Sequence, residues 1–122
     1  MNLKERAIHF LTLAATGDVH QAYALYVSDQ LIHHNPTFPA GAAALMDAMA
    51  QSLVSHPHKT FEVQRALQDG DLVAVHSKIN MHDQHLGVAV VHLFRFADQR
   101  IVELWDIGQP VPETSPNVHG MF

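Results

Sequence analysis

The sequence predicts an α+β fold in which three N-terminal helices pack against a strongly curved antiparallel sheet. Apolar residues recur at three- and four-residue spacing as far as about residue 54, which is typical of helices with one buried face. From residue 60 onward they alternate with a period of two, which is typical of strands. Turn signals separate the alternating segments, so the strands are expected to follow one another as a four-stranded meander.

The helices are predicted from their end signals as well as from their periodicity. Asn2 can cap the first helix, with Glu5 three residues later in a capping-box arrangement, and Gly17 suits its C-terminal end. Asp18 can cap a short second helix, and a third is predicted over residues 42–54. The residues expected to face the sheet are Leu3, Phe10, Leu11, Leu45, Met49 and Leu53.

The second half of the chain supplies the strands. They are predicted at residues 60–67, 72–81, 86–96 and 101–107. The sequence Asp69-Gly70-Asp71 between the first two is a strong hairpin signal. Residues 28–39, which join the second and third helices, contain two prolines and are predicted to form an irregular connection.

Length and composition limit the classes of function. The 122 residues are predicted to form a single domain, 1–122. The formal net charge is −5, and no cluster of Lys and Arg could replace phosphate counterions, so nucleic acid is not an expected partner. No apolar run could span a bilayer and no signal peptide is recognisable, so we expect no membrane association and a cytoplasmic location.

Both faces of the central strands are rich in apolar residues. One layer of helices covers only one face of a sheet, so the other face must be covered by something else. The simplest cover is a second copy of the chain, in a homodimer formed through the outer sheet face. The residues expected on that face are Val73, Val75, Val91 and Leu93.

Asp106 is the main candidate for catalysis. Alternation along the last strand places it with Val102 and Leu104 on one face, opposite Ile101 and Trp105. A carboxylate beside aliphatic side chains is partly desolvated, which makes it a stronger base near neutral pH. The alternative is a structural Asp at the rim of the sheet, bonded to backbone or water.

Histidine is unusually frequent, with 11 copies. His34 and His76 could join Asp106 around a small apolar cavity, an arrangement that suits proton transfer. The same three residues could instead form a two-histidine, one-carboxylate metal site, but no spacing requires it, so we do not expect a metal. His92 is expected either in the pocket or as a buried histidine bonded to backbone.

Several strings resemble the SnoaL-like branch of the nuclear transport factor 2-like (NTF2-like) superfamily. They are His34-Asn35-Pro36, Asp71-Leu72-Val73-Ala74-Val75-His76-Ser77, Val91-His92-Leu93-Phe94-Arg95-Phe96 and Ile101-Val102-Glu103-Leu104-Trp105-Asp106. The resemblance implies a cone-shaped α+β barrel, usually dimeric, and acid/base chemistry on a carbonyl compound without metal or organic cofactor. Asp106 matches the recurrent Trp-Asp acid/base position, whereas Leu104 stands where many relatives have a histidine.

These observations together lead to a functional hypothesis. A small apolar carbonyl compound would bind in the cone and undergo aldol-type cyclisation, isomerisation or dehydration. The expected catalytic residues are Asp106, His34 and His76. The expected substrate contacts are Asn35, His92, Leu104, Phe94 and Phe38. The alternative is a non-catalytic ligand-binding or dimerisation module of the same fold, which the departure at Leu104 favours.

Overall fold

The computed structural model describes residues 1–122 and contains three helices and five strands. The helices are α1 (Leu3–Thr16), α2 (Val19–Tyr26) and α3 (Ala42–Ser55). The strands are β1 (Val27–His33), β2 (Thr60–Asp69), β3 (Leu72–Asn80), β4 (Val88–Ala97) and β5 (Arg100–Pro110). The fold is α+β, with the three helices packed on a curved sheet. None of the helices combines the length and the apolar character that a membrane span requires.

The helix ends follow the predicted signals. The Asn2 side chain accepts a hydrogen bond from the Glu5 backbone N–H at 2.8 Å, and the Glu5 carboxylate accepts one from the Asn2 N–H at 3.2 Å. The predicted capping box is therefore confirmed. The Asp18 carboxylate accepts from the Gln21 N–H at 3.0 Å and caps α2. Gly41, with a φ of 103°, precedes α3 in a backbone conformation that favours glycine.

The strand order is β1-β5-β4-β3-β2. Strands β2 to β5 form the predicted antiparallel meander, and the β4–β5 turn has positive φ at both Asp98 and Gln99, as tight hairpins require. The fifth strand, β1, pairs in parallel with β5, so the prediction of an irregular connection over residues 28–39 is wrong for its first part. Both prolines of that segment, Pro36 and Pro39, come after the strand and leave its hydrogen bonds intact.

The core lies between the helices and the inner face of the sheet. Phe10 of α1 meets Phe94 of β4 edge to face with ring centroids 5.8 Å apart, and it meets Tyr23 of α2 in the same way at 5.5 Å. The six residues predicted to face the sheet all take part. Phe10, Leu11 and Leu45 are buried, and Leu3, Met49 and Leu53 are partly buried against the core.

Two predictions about sheet faces are wrong. Val73 and Val75 lie in the core under the helices and not on the outer face. The β3–β4 register pairs them with Phe94 and His92, so they share the inner face with those residues, and alternation within each strand cannot give this register. The pairing of β4 with β5 shifts register between Arg95 and Phe96. This bulge turns Ile101 into the core as well as Leu104, so Ile101 does not share the outer face with Trp105.

The homodimer stays a prediction, now centred on the outer-face residues Val91, Leu93 and Ile107. We expect Ile107→Asp to convert a dimer of 13.6 kDa chains into monomers in light scattering, because a charge would be buried in an apolar contact. Ile107 is 62% exposed in the single chain. Val54→Asp is the matched control, since Val54 is 83% exposed on α3, away from that face. A wild-type monomer at micromolar concentration would contradict the prediction.

Candidate functional site

A cavity of about 230 Å³ lies between the helices and the inner face of the sheet. Its walls come from α1, α3, strands β2 to β5 and the connections next to α3, and nine of its 14 lining residues are hydrophobic. The hydrophobic ones are Leu11, Ala14, Ala15, Phe38, Leu45, Ala48, Met49, Phe61 and Ile79. The polar ones are Asn35, Ser52, Lys59, His92 and Asp106. An apolar cavity of about 150 Å³ holds benzene, so this one has room for a compound of one or two rings.

Asp106 lies on β5 and reaches this cavity, where it is held by Asn35. The Asn35 Nδ2 donates a hydrogen bond to Asp106 Oδ2 at 2.9 Å. The Asn35 Oδ1 accepts a hydrogen bond from the Thr37 backbone N–H at 2.9 Å, which fixes the orientation of the amide. The other carboxylate oxygen of Asp106 accepts no hydrogen bond from the protein. It is therefore free to accept a proton or a hydrogen bond from a ligand.

His92 faces Asp106 across the β4–β5 pair and is only 7% exposed. Burial lowers the pKa of His92 to about 4, against the opposing effect of the Asp106 charge. The imidazole is therefore neutral at physiological pH and offers one donor and one acceptor nitrogen. Its Nδ1 is buried without a hydrogen-bond partner in the protein, and its ring stacks on Phe94 at a centroid distance of 6.0 Å. A ligand group could satisfy that nitrogen.

Tyr23 of α2 does not line the cavity, but it is close enough to Asp106 to be affected by the charge of the carboxylate. Burial raises the pKa of Tyr23, and the charge of Asp106 raises it further, so the phenol stays protonated. Its hydroxyl donates to the Met49 Sδ at 3.4 Å. Tyr23 was not among the predicted site residues, since a tyrosine on the buried stripe of a helix is usually a packing residue.

Lys59 lines the cavity but was not among the predicted site residues. Its Nζ donates a hydrogen bond to the Ser52 Oγ at 2.6 Å, and burial lowers the pKa of the amine. One signal could have found this pair. Ser52 continues the apolar stripe of Leu45 and Met49 at helical spacing, and a hydroxyl on such a stripe faces the interior.

His34, selected as catalytic, lies outside the cavity, on the outer face of the sheet. Its Nε2 donates to the Glu103 Oε2 at 2.7 Å, and its ring stacks on Trp105 at a centroid distance of 4.9 Å. This hydrogen bond, followed by that from Arg95, lowers the pKa of Glu103. The reason is alternation: the chain is extended here, so when His33 points inward and is buried, His34 points outward.

His76 is also on the outer face and does not reach the cavity. Its neighbours Val75 and Ser77 are both fully buried on the inner face, which sends His76 to the opposite side. There it contacts Arg65 and stacks on Phe122 with ring centroids 6.0 Å apart. His34, His76 and Asp106 therefore do not meet, either as a proton relay or as a metal triad.

The five predicted substrate contacts are divided between the cavity and the core. Asn35, His92 and Phe38 line the cavity together with Asp106. Leu104 and Phe94 are fully buried in the core cluster and do not line it. Both side chains are on the inner face of the sheet, but other core residues cover them, for example Phe10 on Phe94. Whether the lining residues act in binding or catalysis stays a prediction.

Residues 7–104 match the family model of the SnoaL-like domain. Solved structures with a similar fold include wild-type IdmH, a proposed polyketide cyclase from Streptomyces antibioticus, at 18% identity, covering 89% of this chain and 93% of that chain, with a TM-score of 0.71. A proposed polyketide cyclase from Acidithiobacillus ferrooxidans matches at 18% identity over 88% and 87% of the two chains, with a TM-score of 0.72.

A third structure with this fold is AclR, a proposed hydroxylase from Streptomyces galilaeus. It is 18% identical, covers 88% of this chain and 79% of that chain, and has a TM-score of 0.75. No curated protein matches the chain significantly. At these identities the structural similarities show the fold alone. The matched family segment ends at Leu104, two residues before Asp106.

The buried neutral His92 predicts a pH dependence of stability. The folded-state pKa of about 4 lies below the ordinary value of 6.5, so the unfolded chain binds the extra proton first. The free energy of unfolding should fall as pH decreases from about 6.5 to about 4, by up to about 3 kcal/mol from this residue. His92→Gln should remove that part of the dependence in urea titrations at several pH values. His58→Gln, at an exposed position, is the control. Equal pH profiles for wild type and His92→Gln would contradict the prediction.

Proposed function

The chain belongs to the SnoaL-like domain family, and on that premise we propose that it is an enzyme. In this proposal it removes a proton from the carbon next to the carbonyl group of a small and largely apolar compound. The reaction class comprises aldol-type cyclisation, isomerisation and dehydration. The observation that carries the proposal is the Asp106 carboxylate, which lies in an apolar cavity with one oxygen held by Asn35 and the other free.

Asp106 is the proposed base. Its free oxygen would accept a proton from the carbon next to the carbonyl group, and the C–H electron pair would move to the carbonyl oxygen as an enolate. The largely apolar lining favours an apolar compound as the ligand that lies against this carboxylate. Asn35 holds the carboxylate in one orientation, so little reorganisation is needed when a substrate binds.

His92 is the proposed partner for the enolate oxygen. A neutral imidazole can donate one hydrogen bond to that oxygen without giving up its proton. His92 and Asp106 are neighbours across β4 and β5, so one ring compound can meet both side chains. The enolate then takes the proton back from Asp106 at another carbon, or attacks a second carbonyl group, whose oxygen takes the proton from Asp106. In the third outcome it expels hydroxide from the β-carbon, and the hydroxide takes the proton from Asp106 and leaves as water. These outcomes are isomerisation, cyclisation and dehydration.

The names of two structural neighbours bear on the choice among the three reactions. IdmH and the Acidithiobacillus ferrooxidans protein are both named as proposed polyketide cyclases, which favours cyclisation.

The second candidate function is ligand binding without chemistry. Leu104 favours it, because this leucine is fully buried in the core and adds no polar group to the cavity.

We expect Asp106→Asn to lower turnover by ~10²-fold or more, because the amide keeps the shape of the carboxylate but cannot accept the proton. The measurement is conversion of a panel of ring ketones and diketones by the purified protein. His34→Gln and His76→Gln are the matched controls, and both should keep wild-type turnover, since these histidines lie on the outer face.

Circular dichroism and thermal unfolding should show that the Asp106→Asn protein is folded. Turnover by this variant at the wild-type rate would end the catalytic proposal. Binding of panel compounds without conversion by the wild type would support the second candidate function instead.

A further inference from the structure

We propose that Lys59 and Ser52 form an anion-binding subsite in the cavity. The compound that binds would then carry an anionic oxygen, such as a carboxylate, in addition to the carbonyl group that faces Asp106. This inference deepens the proposed function and rests on it for the identity of the reacting carbonyl. The binding of the anion itself is independent of any reaction.

The position of Lys59 is fixed by local structure. The chain leaves α3, makes a short turn, and enters β2 directly after Lys59. The Lys59 backbone N–H donates to the His56 carbonyl at 3.2 Å, and its Nζ donates to the Ser52 Oγ at 2.6 Å. The ammonium group is therefore held against the α3 wall of the cavity.

The charge of Lys59 has no anionic partner in the protein. The ion pairs of the chain involve His34, Asp71, Arg95 and Glu103, and none involves Lys59. An ammonium group has three N–H donors, and the Ser52 hydroxyl uses one of them. A partly buried cation is costly unless it is paired, and here burial lowers the pKa of the amine with no nearby carboxylate to raise it. An anionic ligand would supply the missing partner.

The cavity thus carries opposite charges on different walls. Asp106 and His92 lie on the sheet side, on β5 and β4, whereas Ser52 lies on α3 and Lys59 precedes β2. A ligand with an acidic C–H at one end and an anionic oxygen at the other would bind in one orientation only. The formal net charge of the whole chain is −5, so attraction of an anion depends on this local cation.

A purely structural role for Lys59 makes a different prediction. The residue lies just beyond the C-terminus of α3, where a cation stabilises the helix by interacting with the negative end of its dipole. Loss of that interaction would lower the unfolding temperature of the protein. It would not change the relative affinities for a charged compound and a neutral compound of the same shape.

The test is an amide NMR titration with benzoate and with benzamide, its uncharged analogue of the same shape. Wild-type protein should bind benzoate more tightly, with shifts at cavity residues. Lys59→Met should lower the affinity for benzoate by about 10- to 100-fold, the loss expected for a charge-assisted hydrogen bond. It should leave the affinity for benzamide unchanged. Lys59→Arg should keep the preference for benzoate. Lys78→Met is the matched control, since Lys78 lies over the Phe122 ring on the outer face.

Three results would each overturn the proposal. They are equal binding of benzoate and benzamide to the wild type, unchanged benzoate affinity in Lys59→Met, and no benzoate binding at all. A lower unfolding temperature of Lys59→Met with an unchanged preference for benzoate would assign the residue to the helix end alone. Since the titration involves no turnover, loss of benzoate binding in Lys59→Met stands even if Asp106→Asn retains full activity. The two proposals can therefore fail separately.

Discussion

The parallel pairing of β1 with β5 is the contact on which the site depends. In this register His33 lies beside Leu104, and the His34 N–H donates to the Leu104 carbonyl at 2.9 Å. Two residues beyond His33 and Leu104, Asn35 donates a hydrogen bond to Asp106. This bond joins the loop that follows β1 to strand β5. The same register stacks His34 on Trp105 at the opposite face. One strand pairing thus decides which polar groups enter the cavity and which remain outside.

The cavity combines an apolar lining with polar groups whose charge states differ. Asp106 supplies the negative charge, and the neutral, buried His92 supplies hydrogen-bonding capacity without an opposing charge. Lys59 supplies a positive charge from the helix side. In a medium of low dielectric these groups act strongly on a ligand, because little water screens them. The surrounding core, in which Phe10 packs on Phe94, holds the walls in place.

The helices, their caps and the four-stranded meander could all be predicted from the sequence, because each depends on local periodicity or on a short end signal. The strand β1 could not, since its partner β5 lies some 70 residues away and two prolines follow it closely. His76 was misplaced because both faces of β3 are apolar enough to be buried. Only Ser52, on the apolar stripe of α3, gave a sequence signal for the Lys59–Ser52 pair. Lys59 itself gave none, because its position beside Ser52 depends on a cavity that only the folded chain creates.

The proposed function requires that Asp106 removes a proton from the carbon next to a carbonyl group. The most direct measurement is proton NMR in deuterium oxide, following exchange of the α-protons of β-tetralone and of oxocyclohexanecarboxylate. This measurement does not require the natural substrate or its product to be known. Removal of a proton and its return from solvent already replace hydrogen by deuterium. We expect exchange to be faster with the wild type than with Asp106→Asn at equal protein concentration. Equal exchange rates for both compounds with the two proteins would contradict it.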